Sequence, residues 1–326
     1  MNVMNRRTAL AAACLLGAAA LHAPLHAQDT ALPKVIKIVV PFSPGGSNDL
    51  FARALGQKLT AKLGVPVVVE NKPGASGAIG AQAVAVAEPD GSTLLLNSVS
   101  FTTNAAVAAK LPFDPIKSFA PVALLNRGPM LLIVGNATPY KTTDDVLKAI
   151  RSPAKDVNYG SAGQGSIGQM ASELLNSMTQ GAAVHVPYKG ISNAVSDMMG
   201  ANLQIMITTA ASVAGPLKAG QIRPIAVTSA RRSSFMPELP ALAEAVPGFN
   251  VESWWGVFAP AKTPKALVDR LNREIRAAGD TPEMRELFAR ESTEPSNYTA
   301  DQFADYVQAE TAKWRKLARE RNITVD

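Results

Sequence analysis

Short apolar runs alternate with longer segments of helical spacing along most of this chain. Residues 35–40, Val-Ile-Lys-Ile-Val-Val, form an apolar run of strand length that is closed by Pro44-Gly45-Gly46. Leu50, Phe51, Ala54, Leu55, Leu59 and Leu63 then recur at helical spacing, which predicts a helix over 48–63. Residues 65–69 read as a second strand, a turn at 73–77 leads into a helix through Val86, and 93–96 read as a third strand before the polar stretch 97–100. Strand, small-residue loop and helix repeated in this order predict a parallel sheet with helices on its faces.

The long apolar segment 121–134 is read as a crossover to a second lobe, where the theme recurs. A strand at 157–159, a loop at 160–166 and a helix at 167–178 precede strands at 184–188 and 203–207, with a helix at 193–199 between them. Residues 251–260 read as a return crossover, and 264–278, 282–290 and 300–321 as helices. The expected organisation is α/β, with a discontinuous first lobe (28–128 plus 250–326) and a second lobe (129–249). No low-complexity tract or fixed-period repeat interrupts it.

The first 27 residues follow a different pattern. Arg6 and Arg7 precede an almost unbroken apolar run from 9 to 21, and Leu25-His26-Ala27 precedes the polar Gln28-Asp29-Thr30. That order is the signature of a secretory signal peptide cut after Ala27, and the run is shorter than the roughly 20 residues a membrane span needs. The paired arginines point weakly to the twin-arginine route, and Cys14 lies inside the apolar run rather than at a lipidation site.

Cleavage there sharpens the composition. It removes the single cysteine and two of the three histidines, leaving His185. Disulfides, a thiolate nucleophile and a Cys/His zinc site are thereby excluded. Arg6 and Arg7 leave with it and no acid does, so 30 basic side chains face 26 acidic ones. That mild excess favours anionic solutes, and the charges are not blocked into a nucleic-acid patch.

The candidate chemistry sits in the loops that follow strands. Ligands of open α/β sheets bind beyond the carboxyl ends of strands. The first turn of each following helix has unpaired N–H groups and partial positive charge. Glycine admits close backbone approach, and Ser or Thr adds adjustable donors. Loops 44–49, 74–77 and 160–166 share this composition, so two lobes facing one cleft would grip a carboxylate from both sides. Each loop taken singly also reads as an ordinary cap or turn. Asp49 is read as structural, because an acid facing the ligand would repel an anion.

Other motifs carry less. Gly163-x-Gly165-x-x-Gly168 matches the dinucleotide fingerprint, but the next strand ends at Pro187-Tyr188 without the required acid. No serine lies in a G-x-S-x-G elbow, and no phosphate-loop motif occurs. His185, in an apolar strand, is read as a packed, hydrogen-bonded core residue rather than a base. Trp254 and Trp255 are expected to wedge the return crossover, with one of them open to a ligand role. Lys189 reads equally as a ligand contact or a solvated surface lysine.

Taken together, Pro41-Phe42-x-Pro44-Gly45-Gly46-x-x-Asp49, Val69-Glu70-Asn71-Lys72-Pro73-Gly74, Pro89-Asp90-Gly91, Tyr159-Gly160-Ser161-x-Gly163-x-Gly165-Ser166, Val186-Pro187-Tyr188-Lys189-Gly190 and Trp255-Gly256-x-Phe258-Ala259-Pro260 resemble the tripartite tricarboxylate transporter receptors, the Bug-type periplasmic binding proteins. The resemblance spans essentially all of the chain after the signal, in the family's order. It implies a type II periplasmic-binding-protein fold, two α/β lobes joined by two crossover strands with the ligand cleft between them. It further implies a periplasmic, monomeric receptor without cofactor, metal or catalytic residue, which captures a small di- or tricarboxylate or related acid and presents it to a membrane permease.

Carried over position by position, the resemblance places ligand contacts at Gly45, Gly46, Ser47 and Asn48, at Ser98 and Ser100, and at Ser161, Gly165 and Ser166. Three stretches depart from the family pattern, one of them the segment after Thr93-Leu-Leu-Leu96 that carries Ser98 and Ser100 and follows it only loosely. Ser76-Gly77-Ala78 stands where relatives often have Gly-Gly-Asn, keeping Ser76 as a candidate and losing one polar side chain. Thr208 stands where many carry an aspartate, so weaker affinity for amino-bearing ligands is expected. A receptor that reports to a sensor kinase, and an exported hydrolase or dehydrogenase, are the alternative readings.

Overall fold

The computed structural model describes residues 32–325 apart from 153 and 155. The expected signal peptide and its cut at Ala27 lie outside the described residues. Two sheets organise the rest. The first contains β1 (Ile36–Val40), β2 (Val67–Asn71), β3 (Thr93–Ser98), β4 (Phe119–Pro129), β10 (Glu252–Pro260) and β11 (Glu294–Pro295), in the order β11-β4-β10-β3-β1-β2. The second contains β5 (Leu131–Gly135), β6 (Asn158–Ser161), β7 (Val184–Pro187), β8 (Ile205–Thr208) and β9 (Ile222–Val227), in the order β7-β6-β8-β5-β9. In each sheet the βα part is parallel and the crossover strands are antiparallel: β1 pairs β2 and β3 in parallel, whereas β10 runs against both β3 and β4.

The period of two in the strands explains the layers. Ile36, Ile38, Val40, Leu94 and Leu96 join Phe51, Leu55 and Leu59 of α1 (Ser47–Leu63) on one face of the first sheet. Val39, Leu95 and Phe258 join Ala81 and Val84 of α2 (Ala78–Ala85) on the other. With both faces covered, strand β1 is apolar apart from Lys37, whose side chain reaches out to Glu70.

Several elements were not legible as periodic runs. The polar stretch after β3 does not stay a loop: Ser100–Val107 is helix α3, buried through Phe101, Thr102, Thr103, Ala105 and Val107. Helix α4 (Thr143–Ile150) starts at a capping box made by Thr142 and Asp145. Strand β6 runs on through Gly160 and Ser161, so the loop expected from 160 begins at Ala162. Helix α5 (Ile167–Thr179), helix α6 (Ile191–Met199) and short helices α7 (Ala214–Lys218) and α8 (Leu242–Ala245) complete the second lobe.

After the return crossover come α9 (Lys265–Gly279), α10 (Pro282–Arg290) and α11 (Ala300–Glu320). Helix α11 serves both lobes. Phe303 and Val307 pack in the core around the first sheet, while Trp314, Leu317 and Ala318 pack with Tyr159, Ile205 and Ile207 of the second. At 1.5 Å per residue its 21 residues reach about 30 Å, enough to span the two cores. The segment beyond it returns to α3, where Val325 N–H donates to Val107 O at 2.8 Å and Ala109 N–H donates to Val325 O at 3.1 Å.

Both tryptophans of the return crossover are core residues, so the one whose role the sequence leaves undecided is packed away like the other. Trp254 lies against Phe303 and Tyr306 on one face, and Trp255 against Phe51 on the other. Consecutive residues of a strand point to opposite faces, which separates the pair.

Candidate functional site

Loop 41–49 is held from behind. Asp49, buried, accepts Gly45 N–H at 3.1 Å, Arg53 Nε at 3.0 Å and Asn71 Nδ2 at 2.9 Å. Asn71 Nδ2 also donates to Phe42 O at 3.1 Å. The Arg53 hydrogen bond, joined by those from Asn71 and Gly45, holds the Asp49 carboxyl below its ordinary value despite burial. An acid at the first turn of α1 thus shapes the loop, its carboxylate spent on Gly45, Arg53 and Asn71. Gly45 takes φ +94°, a conformation that disfavours side chains. Of the candidates here, Gly45 and Gly46 are exposed and Asn48 is half-buried, with Oδ1 unpartnered. The Ser47 hydroxyl donates to Glu291 at 3.0 Å, tying the loop to the end of α10. What loop 44–49 offers an anion is therefore the free N–H groups of the α1 first turn.

Next to it lies loop 74–77, where Ser76 is exposed at φ +52°. A Cβ on Gly77 would stand 3.3 Å from Phe42 Cζ, so the two loops touch. Asn104 of α3 donates to Ser76 O at 2.7 Å. Ser98 and Ser100 pair their hydroxyls at 2.9 Å beside Asn97, whose Oδ1 accepts from Ser98 N–H at 2.8 Å. Loop 74–77 thus touches Phe42 on one side and shares a cavity wall with Asn97 and Ser100 on the other.

The loop of the second lobe meets α3 directly. A Cβ on Gly165 would be 2.8 Å from Val107 Cγ2 and 3.4 Å from Asn104 Oδ1, both on α3. At this contact lies a cavity of about 270 Å³ walled mainly by the first lobe, with Ser76, Asn97 and Ser100 on its polar side and Phe101, Ala105 and Phe113 on its apolar side, and with Gln164 reaching it from the second lobe. Ser76, Ser100 and the Gly165 loop are thus brought together. Thr208 sits at the end of β8, nearly buried, beneath the start of α5, where Gly168 approaches Ile207 O closely enough that a Cβ would clash at 2.7 Å.

Inside the second-lobe loop, Ser161 and Ser166 both point back into the loop. Ser166 caps α5 and donates to Gly163 O at 2.7 Å. Ser161 is fully buried, donates to Gly163 O at 3.0 Å and lies 2.7 Å from His185 Nε2. His185 is therefore hydrogen-bonded, and it stacks on Tyr159 at 5.0 Å. Burial lowers its pKa, opposed by the charge of Glu173. The Ser161–His185 pair lacks what nucleophilic catalysis requires. The hydroxyl is shut away from any substrate, and the second ring nitrogen faces Gln169 Nε2 at 3.1 Å rather than a carboxylate. Sequence reasoning found the histidine and missed its partners, because Ser161 and Gln169 lie 24 and 16 residues away.

Two α/β lobes, one bringing its 162–165 loop against α3 and loop 74–77 of the other beside a cavity, define a bilobal solute-binding protein; Gly45, Gly46, Ser47 and Asn48 are not among the residues that line that cavity. The family model of the tripartite tricarboxylate transporter family receptor matches residues 51–323, and the chain belongs to that family. It is 32% identical to the protein BugT of Bordetella pertussis over 94% of each chain, which makes it a Bug-type receptor. Among solved structures it is similar to Rpa4515 of R. palustris with adipate (TM-score 0.77, 32% identity, 90% of this chain and 99% of that one). It is also similar to MatC of Rhodopseudomonas palustris with bound malate (TM-score 0.74, 29% identity, 88% and 99%). No helix among the described residues is long and apolar enough to cross a membrane.

Proposed function

We propose that this protein is a periplasmic receptor that captures a small organic acid between its lobes and delivers it to a membrane permease of the tripartite tricarboxylate type. The observation that carries the reading is the contact of the Gly165 loop with α3 beside Ser76 and Ser100, which puts donors of both lobes around one cavity. The lobes are taken as 28–128 plus 250–326 and 129–249, working as a monomer after removal of residues 1–27. Carboxylate oxygens would be held by the N–H groups of Gly46, Ser47 and Asn48, by the hydroxyls of Ser76, Ser98 and Ser100, and by the backbone near Gly165 and Ser166. The carbon skeleton would rest against Phe101 and Ala105. Adipate and malate in the two similar structures support this ligand class. A ligand touching both lobes favours the closed form by its differential affinity.

Thermal shift and calorimetry over mono-, di- and tricarboxylates, amino acids and aromatic acids test the reading. An acid at 100 times its Kd stabilises the folded state by about 2.7 kcal/mol, an easily read rise in Tm. A panel in which no acid raises Tm, or in which a bound acid is chemically converted, overturns it.

A further inference from the structure

We infer that His185 is a positioning residue for the second-lobe loop, holding it in shape only as the neutral ring that carries its proton on Nε2. The inference extends the proposed function, since it takes loop 161–166 as one wall of the carboxylate site.

Each hydrogen bond in the cluster fixes the direction of the next. Gly165 N–H donates to Gln169 Oε1 at 2.7 Å, which assigns the amide oxygen. Gln169 Nε2 must then be the atom 3.1 Å from His185 Nδ1, and an amide NH2 only donates. Nδ1 is therefore an acceptor, and the ring proton sits on Nε2. Nε2–H donates to Ser161 Oγ at 2.7 Å, leaving the hydroxyl proton for Gly163 O at 3.0 Å, while Gly163 N–H returns to Ser161 Oγ at 3.2 Å. Gly163 and Gly165 stand at φ +125° and +75°. Both ends of this unusual backbone are thus tied to one imidazole.

A second proton on the ring has no place in this circuit. Nδ1–H would face the Gln169 NH2, two donors together. Turning the Gln169 amide would aim its NH2 at Gly165 N–H, again two donors. Gln169 and Ser161 are buried, so water does not replace the lost bond cheaply. Protonation therefore releases the Gly165 end of the loop. The groups that act on the ring are few. Tyr159 of β6 stacks on it and donates to Glu173 Oε1 at 2.5 Å, and Glu173 of α5 is held by Arg321 Nε at 2.7 Å. Burial keeps His185 neutral at pH 7, and the Glu173 charge favours its protonation.

The test is nitrogen-15 NMR on protein labelled at histidine and glycine, with His185→Gln identifying the His185 signals. The expected result is the Nε2–H tautomer at pH 8, with the Gly165 amide resonance moving along the His185 titration curve as the pH falls. An Nδ1–H tautomer, or a Gly165 amide indifferent to that titration, overturns the inference whether or not any acid binds. The binding arm uses malate and adipate. Whichever binds should lose at least threefold in affinity between pH 8 and a pH one unit below the measured His185 pKa. In His185→Gln that loss should shrink. Failure of both acids to bind at any pH counts against the proposed function, while the tautomer and the Gly165 titration still decide the role of His185.

Discussion

Thr228 Oγ1 accepts Met130 N–H at 2.8 Å, and Met130 O accepts Thr228 N–H at 3.0 Å, closing a two-bond clasp where the first crossover changes sheet. The same hydroxyl reaches Val251 O at 2.7 Å, at the foot of the second crossover. One buried side chain therefore ties the two crossovers to the end of β9. Thr228→Val strands a buried donor and a buried acceptor, at a cost of about 1–3 kcal/mol. Urea denaturation should show the lower midpoint, and Thr228→Ser should recover most of it. Equal losses in the Val and Ser variants would instead assign the effect to packing.

Gly165 is the point of closest approach between the lobes at the site. Gly165→Ala adds a Cβ 2.8 Å from Val107 Cγ2 at φ +75°, a backbone region that costs a side chain roughly 1–2 kcal/mol. Ligand affinity should drop about tenfold or more by titration calorimetry. Combining it with Val107→Ala relieves the clash and not the strain, so partial recovery is the expected outcome.

Asp49 links the site to pH at the acidic end. Its folded-state pKa is depressed, chiefly by the Arg53 hydrogen bond. Its stabilisation is therefore complete above the unfolded value of about 3.9 and is lost as the pH falls through the folded value. Asp49→Asn should remove that part of the acid-unfolding curve and leave the protein less stable at pH 7, read as a smaller difference in Tm between pH 7 and pH 3 than in the wild type.

Thr208 tests specificity. Thr208→Asp restores a negative charge at the end of β8, so amino-bearing acids should gain in a competition assay and plain dicarboxylates should lose. A variant that weakens both equally would remove Thr208 from the specificity argument.

The strands and the longer helices of this fold were legible because their side chains obey local periods. The 36–40 run marked β1, and the spacing of Leu55 and Leu59 marked α1. Helix α3 was not, since its Ser-Phe-Thr-Thr-Asn start resembles a polar loop until Val99 and Val107 find partners across the sheet and the second lobe. The glycine loops were visible too, and the direction of their hydroxyls was not. Ser47 turns to Glu291 and Ser161 to His185, partners 244 and 24 residues away.

Sequence by itself determined the alternation of strand, glycine loop and helix, the two crossovers, and the exclusion of cysteine chemistry from residues 28–326. These depend on residue type and on spacing within a few positions. Tertiary structure alone decided that α11 binds the two lobes together, that both tryptophans of the return crossover are core, and that Gly165, Asn104 and Ser76 share one surface. Such facts depend on which distant segments meet when apolar faces are buried, and that pairing is set by the packing of the whole chain rather than by any window along it.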